Sequence, residues 1–203
     1  MLKRLRNFFA HSSHPKVIEA REALYKQVFN ESPQIYHSTD CVFPHVDVYH
    51  FSPVVNRPYH TLITGGMAHY RQPVDGLAAP LRLELLMHTV HFSYWEANLL
   101  KLLAEFPSQN KTYFTVYQTV PIGNRLTNTS QISAFLLTPE TEIGGRLAFE
   151  IDSEGVEYLL CVPITMHEHA FAREFGGEEL YSRLKSANLL IHENDERGSF
   201  AGT

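Results

Sequence analysis

Cysteine is nearly absent. Cys41 and Cys161 are the only two in 203 residues, they form no C-x-x-C pair, and a disulfide framework is excluded. The one pairing they allow stays open, and a reducing compartment is the expectation. Long apolar runs are missing too. The opening MLKRLRNFFAHSSHP starts basic, but Phe8, Phe9 and Ala10 are too short a run for a secretory core or a membrane span, so the chain reads as cytoplasmic with no membrane partner. Positive charge is scarce: 17 Lys and Arg stand against 22 Asp and Glu, a formal net charge of −5. That balance lacks the basic footprint that binding to phosphate backbones requires, so no nucleic-acid partner is expected. It suits a basic protein partner through complementary fields, although the same charge also serves solubility alone.

What is present is an ordinary globular composition, 44% hydrophobic and 19% charged, with twelve histidines as the unusual count. A chain of this size fits one domain and buries roughly 70% of its unfolded surface without staples. The central stretch is FPHVDVYHFSPVVNRPYHTLITGGM, from Phe43 to Met67. Alternation from Val42 to Phe51 reads as a strand, Ser52, Pro53, Asn56 and Pro58 supply turn chemistry, and Tyr59 to Thr64 is a second strand stopped by Gly65 and Gly66. Before it, Val17, Leu24 and Val28 with Ile18, Tyr25 and Phe29 recur at helical spacing after Pro15, predicting an amphipathic first helix ended by Asn30 to Pro33.

After it, Leu81 to Val90 alternates as a strand, with Leu83, Leu85 and Met87 on one face and Arg82, Glu84, Leu86 and His88 on the other; a helix is the rival for this leucine-rich run. Ser93 and Glu96 form a capping box that opens a helix. Trp95, Leu99, Leu102, Leu103 and Phe106 are expected as its core side, and Pro107 as its end. Tyr113–Val120, Ile132–Thr138, Arg146–Ile151 and Val156–Ile164 read as strands, the last two joined by the turn Asp152 to Gly155. Thr165 and Glu168 repeat the capping box before a helix His167–Phe175. Gly176 and Gly177 break it ahead of a helix Glu178–Ala187, and a polar tail follows His192.

Chemistry leaves few marks. The signatures G-x-S-x-G, G-x-x-x-x-G-K, G-x-G-x-x-G and H-E-x-x-H do not occur, which removes the well-specified hydrolase, nucleotide and zinc-protease patterns. The best metal candidate is His45-x-Asp47 with His60, because alternate strand positions project to one side and imidazole with carboxylate can hold a divalent ion. His88-x-x-His91 and His167-x-His169 are weaker versions. The competing reading is ordinary hydrogen bonding by strand and turn histidines. Cys161 sits in an apolar strand, where a thiol packs as a small hydrophobe. Asp47 and Glu84 could face each other as an acid/base pair.

HVDVYHF, RPYHTLITGGM, the LRLELLM strand followed by the Trp95 helix LLKLLAEFP, YLLCVPIT and the closing helix around Glu178 to Leu184 together resemble the suppressor of fused domain family. The resemblance runs in order from Val42 to Asn188. It implies an α+β domain, a central mostly antiparallel or mixed sheet flanked by helices, with no catalytic activity and no cofactor. Animal members of that family sequester a transcription factor by clamping a short peptide; bacterial members accompany polymorphic toxin systems as immunity proteins. A chain with only the one domain is similar to the bacterial type. In the animal proteins the end of the helix matching Trp95–Phe106 and the segment after it touch the partner, so the resemblance implies Phe106, Tyr113, Phe114 and Tyr117 as partner-binding residues. Tyr117 stands where those proteins carry an acidic residue.

The expectation is therefore a cytoplasmic, non-catalytic protein-binding domain of immunity type, holding a toxin or another protein. Residues 1–34 would form a helical segment packed on the domain, 35–190 the α+β domain and 191–203 a tail. The alternative is a small metal-dependent enzyme built on His45, Asp47 and His60, and a third reading is a scaffold subunit.

Overall fold

Leu85 of one strand and Leu86 beside it point to opposite faces of a sheet, and both are fully buried. That pair describes the molecule: a sheet covered by helices on both sides. The computed structural model describes residues 15–38, 43–74, 79–123, 131–140, 143 and 146–192. Cys41, Val42, the basic start and the tail beyond His192 lie outside them.

The elements are α1 (Pro15–Phe29), β1 (Gln34–Tyr36), β2 (Asp47–Phe51), β3 (His60–Gly65), β4 (Arg82–Thr89), α2 (Tyr94–Asn110), β5 (Thr119–Pro121), β6 (Ile132–Pro139), β7 (Glu150–Ile151), β8 (Glu154–Thr165), α3 (Met166–Phe175) and α4 (Gly177–Ser186). The sheet runs β1-β2-β3-β4-β8-β6-β5, with β7 pairing β8 beside this path. Every pairing is antiparallel except β4 with β8, where Arg82 meets Val156 and Leu86 meets Leu160. This is a mixed α+β architecture, as expected.

Alternation divides the core. Leu83, Leu85 and Met87 join Val46, Val48 and Leu62 under α2 residues Ala97, Leu100, Leu103 and Ala104. Tyr49, Phe51, Ile63, Leu86 and Leu160 form the opposite layer with Tyr25 of α1 and Leu180 and Leu184 of α4. Cys161 lies in the first layer, fully buried, and burial pushes its thiol pKa well up. It is a small hydrophobe rather than a nucleophile.

Several local expectations shift. The first central strand begins at Asp47 rather than Val42, since Phe43 to Val46 lie outside the ladder. Helix α2 runs through Pro107 to Asn110 and stops at Lys111, whose φ of 50° is left-handed and whose N–H bonds the Pro107 carbonyl. A proline near a helix end forfeits only its own hydrogen bond, here the one to the preceding turn, so the last turn survives. The buried face of α2 is Ala97, Leu100, Leu103, Ala104 and Pro107. Of the expected core side, Leu103 is buried as expected and Leu99 packs against the core edge, whereas Leu102 and Phe106 are exposed and Trp95 is only partly buried, edge-on to His192 at 6.3 Å. Two alanines in the true contact face let the helix sit close to the sheet.

Tyr113 to Gln118 are not a strand. The Gln72 side chain takes the Phe114 backbone instead: Nε2 donates to the Phe114 carbonyl at 3.1 Å, and the Phe114 N–H donates to Oε1 at 2.7 Å. A turn follows with Tyr117 at φ 63°, and only Thr119–Pro121 joins the sheet. Likewise only Glu150–Ile151 of the segment from Arg146 pairs, its hairpin closed by Asp152 and Ser153 at φ 53° and 63°, the two-residue turn that fits strand twist. Both halves of the Thr165–Glu168 capping box form, at 2.8 and 3.2 Å.

Candidate functional site

Among the described residues α2 leaves an apolar flank uncovered, and Met166 and Phe175 of α3 are exposed as well. Trp95, Leu99, Leu102 and Phe106 recur three or four positions apart and so form a stripe along α2. Its outer half is open: Leu102 is 63% exposed and Phe106 43%. At the C-terminal end of the stripe the Phe106 ring stacks on buried Phe114, centroids 6.1 Å apart and planes within 3°. Phe43, also exposed, lies at the same end, where Ser108 Oγ donates to its carbonyl at 3.2 Å. At the other end of α2, exposed Tyr94 touches Tyr36, which in turn meets Phe92.

The four residues expected to contact a partner therefore separate. Phe106 is on the stripe, Phe114 supports it from inside, and Tyr113 is half-buried. Tyr117 belongs to the far side of the sheet, its ring 5.6 Å from Tyr181 of α4. Leu102 was not foreseen as a contact residue. Its signal was present in the helical spacing, which carries apolar residues on two sides of α2.

The histidine candidates also part company. Asp47 Oδ1 accepts from the Ser38 N–H at 2.9 Å and lies 3.3 Å from His45 Nε2, while Oδ2 lies 3.3 Å from His37 Nδ1. His60 is at the opposite end of β3 from Gly65, the residue opposite Asp47, so about 16 Å of strand separates it from the pair. His60 Nδ1 instead meets His50 Nε2 at 2.8 Å, with Phe92 stacked on His50 at 4.0 Å. Burial, then His60 and Arg57, lower the His50 pKa from 6.5 to about 4. Burial, then Arg57 and His91, lower that of His60. His88 faces inward while His91 is exposed, and His167 is exposed beside half-buried His169. Among the described residues no three His, Cys, Asp or Glu side chains converge as a metal site.

Asp47 and Glu84 do not form an acid/base pair, because each carboxylate has its own partners. Glu84 Oε1 accepts from the Gly66 and Ala68 N–H groups at 2.8 and 3.2 Å, and Oε2 from Thr64 Oγ1 at 2.7 Å. Arg21 on α1 is 2% exposed and donates to Tyr49 Oη at 3.0 Å. Burial works to lower the Arg21 pKa, but Glu84 and the phenols of Tyr25 and Tyr49 hold it above its usual value. Tyr49 Oη, which accepts from Arg21 and donates to Glu22 at 3.1 Å, fastens α1 to the sheet, and the close approach of backbone and side chains here explains two glycines. A Cβ on Gly65 would meet Tyr49 and Arg21 at 2.4 and 2.7 Å, and one on Gly66 would meet the His45 carbonyl.

The surface, then, offers an apolar helix flank and no convergent catalytic set among the described residues. The family model of the Suppressor of fused protein (SUFU) matches residues 43–195. The chain belongs to the suppressor of fused family. Solved structures of this family share its fold. The Sufu–Fu complex superposes with a TM-score of 0.71 at 15% identity, covering 90% of this chain and 91% of that one. A suppressor of fused homologue from Neisseria gonorrhoeae FA 1090 gives 0.72 at 17% identity, covering 92% and 97%. Drosophila Suppressor of Fused gives 0.70 at 15% identity over 93% of this chain but 54% of its own, so this chain spans about half of the Drosophila protein. A search of the curated proteins finds no match. Suppressor of fused proteins are protein-interaction proteins, and the family contains a member solved with a protein partner, Fu. No helix among the described residues is long and apolar enough to cross a membrane.

Proposed function

We propose that this suppressor of fused domain is a cytoplasmic, non-catalytic binding protein of immunity type, which sequesters a toxin or another protein through the outward flank of α2. The observation that carries this reading is the stripe ending in Leu102 and Phe106: large apolar side chains face solvent on a well-formed helix whose other side is already packed. Aromatic and aliphatic anchors backed by a rigid core are what protein interfaces use as hot spots. Phe106 has such backing in Phe114, and Phe43 and Tyr113 would form its rim. The formal charge of −5 favours a basic partner, because complementary fields speed encounter.

The test is a pull-down from native lysate with the tagged full chain, its Leu102→Asp variant and its Lys185→Ala variant as bait, followed by identification of the bound proteins. A stoichiometric partner captured by the parent and by Lys185→Ala but lost with Leu102→Asp supports the reading. A partner retained equally by Leu102→Asp moves the interface off α2.

A further inference from the structure

Strands β4 and β8 pair in parallel only as far as Leu86 and Leu160, and past that point the chain following α4 takes the edge that β8 leaves. His192 makes a parallel bridge to Thr89: its N–H donates to the His88 carbonyl at 2.9 Å, and its carbonyl accepts from the Val90 N–H at 2.8 Å. Residues 188–192 thus form a strap over the end of β4. It leaves α4 through Asn188, whose φ of 61° is left-handed, and the amides of Asn188 and Leu189 still bond the last turn of the helix at the Lys185 and Leu184 carbonyls.

The strap is lightly held. Among the described residues its main-chain hold on the sheet is that one bridge. Leu189, Leu190 and Ile191 are each only half-buried, and a cavity of about 360 Å³ is lined by Leu190 and Ile191 together with Tyr59 and Leu160. Side chains that border a void lack the dispersion contacts that a packed core supplies. Segments with few buried apolar contacts open on their own, at lower free energy than the whole domain. The strand beneath is the reverse case, since β4 is buried along its whole length.

What the strap covers has a definite chemistry. With it lifted, His88 presents a carbonyl and Val90 an N–H on one edge, the pattern that a single residue of a parallel strand fills, as His192 does. Extended main chain carries both partners at that spacing, and such pairing is how open sheet edges capture extended peptides. The tether from Ser186 to His192 spans at most about 20 Å, and two facing α4 helices take up as much, which leaves no slack for exchange of straps with a second copy. We propose that residues 188–192 are a displaceable cover over a strand-addition edge: the strap opens as a unit of its own and admits an extended apolar segment of a partner protein, parallel to β4. This edge is separate from the outward flank of α2, and its occupant is independent of what binds there.

Trp95 is the only tryptophan in the chain and its ring stands edge-on to His192 at 6.3 Å, so its emission reports whether the strap is seated. The probe is a peptide of residues 187–194, ANLLIHEN, which carries the pairing segment and no tryptophan. It is titrated into the full chain and into the full chain with His192→Pro, which removes the N–H that bonds the His88 carbonyl. In the variant the peptide should return the Trp95 emission to that of the parent in a saturable way, with an affinity at least about tenfold above that for the parent, whose own strap competes. A scrambled peptide should leave the emission unchanged. In the parent alone, the amides of Val90 and His192 should exchange with heavy water at least about a hundredfold faster than those at the centre of β6 and β8, a measurement that stays decisive where His192→Pro disturbs folding. Equal exchange rates, a response that does not saturate, or an equal response to the scrambled peptide would overturn the proposal. Dimerisation of His192→Pro without peptide would overturn it too, by assigning the edge to a second copy.

Discussion

Gly66 and His45 meet backbone to backbone: a Cβ built on Gly66 would lie 2.0 Å from the His45 carbonyl oxygen. The contact fixes the approach to β2 against the end of β3 and leaves no room for a side chain. Gly66 also has φ 125°, which L-residues rarely adopt. Gly66→Ala should cost more than about 2 kcal/mol in urea unfolding, since clash and backbone strain add. A loss under about 0.5 kcal/mol would mean the loop relaxes freely.

Arg21 and Glu84 should behave as one unit. Removing the cation takes away its field on the buried Glu84 carboxylate and its hydrogen bond to Tyr49, so Arg21→Leu is expected to cost on the order of 1–3 kcal/mol. In Arg21→Leu/Glu84→Leu the loss should fall short of the sum of the two single variants by at least about 1 kcal/mol. Strict additivity in the double-mutant cycle would show that the two charges do not sense each other.

Acid should destabilise the domain through the His50–His60 pair. The folded His50 value is about 4 against an ordinary 6.5, so the unfolded chain takes up the proton first as pH falls. This contribution is fully present above pH 6.5 and is lost progressively on the way down to about 4. The expected loss is on the order of 1–2 kcal/mol after discounting for water at the ring edge. Unfolding midpoints measured at pH 7.5 and pH 5 check it: His50→Phe should flatten the difference, and an equal slope in parent and variant would assign it elsewhere.

Leu102 is exposed enough that Leu102→Asp should leave stability within about 0.5 kcal/mol. Once a partner is in hand, the same change should weaken binding by more than about 2 kcal/mol, roughly thirtyfold, if the α2 flank is the interface. Calorimetry on the two proteins reads both numbers. Unchanged affinity would clear the stripe of this role.

Cys161 should resist thiol reagents in the native state and react only on unfolding, because it is buried among apolar neighbours with its pKa raised. Labelling at the rate of a free thiol in native buffer would show that β8 opens readily.

The sheet was legible because its strands carry period-2 signals: Leu83, Leu85 and Met87 parted from Glu84, Leu86 and His88 as alternation demands. Both capping boxes likewise marked helix starts. The failures share a cause, which is that contact depends on three-dimensional neighbours rather than on residue type. Nothing in Tyr113–Gln118 reveals that Gln72 will satisfy its backbone, and Pro107 looks like a stop until the helix is seen to need only one more turn. On α2 the bulky stripe outshone the alanines that touch the sheet. The His45, Asp47 and His60 grouping rested on alternate strand positions sharing a side, and the register placed His60 at the far end of β3 from Asp47.

The parallel pairing of β4 with β8 also has a temporal meaning. Strands β1 to β4 are hairpin neighbours and can assemble as they leave the ribosome, but the second edge of β4 waits for Val156–Leu160. Until then a row of unpaired N–H and C=O groups flanked by leucines is open to any other chain. Such a long-range closure is the slow event of folding, so the nascent protein is most vulnerable to aggregation after β4 is made and before β8 arrives.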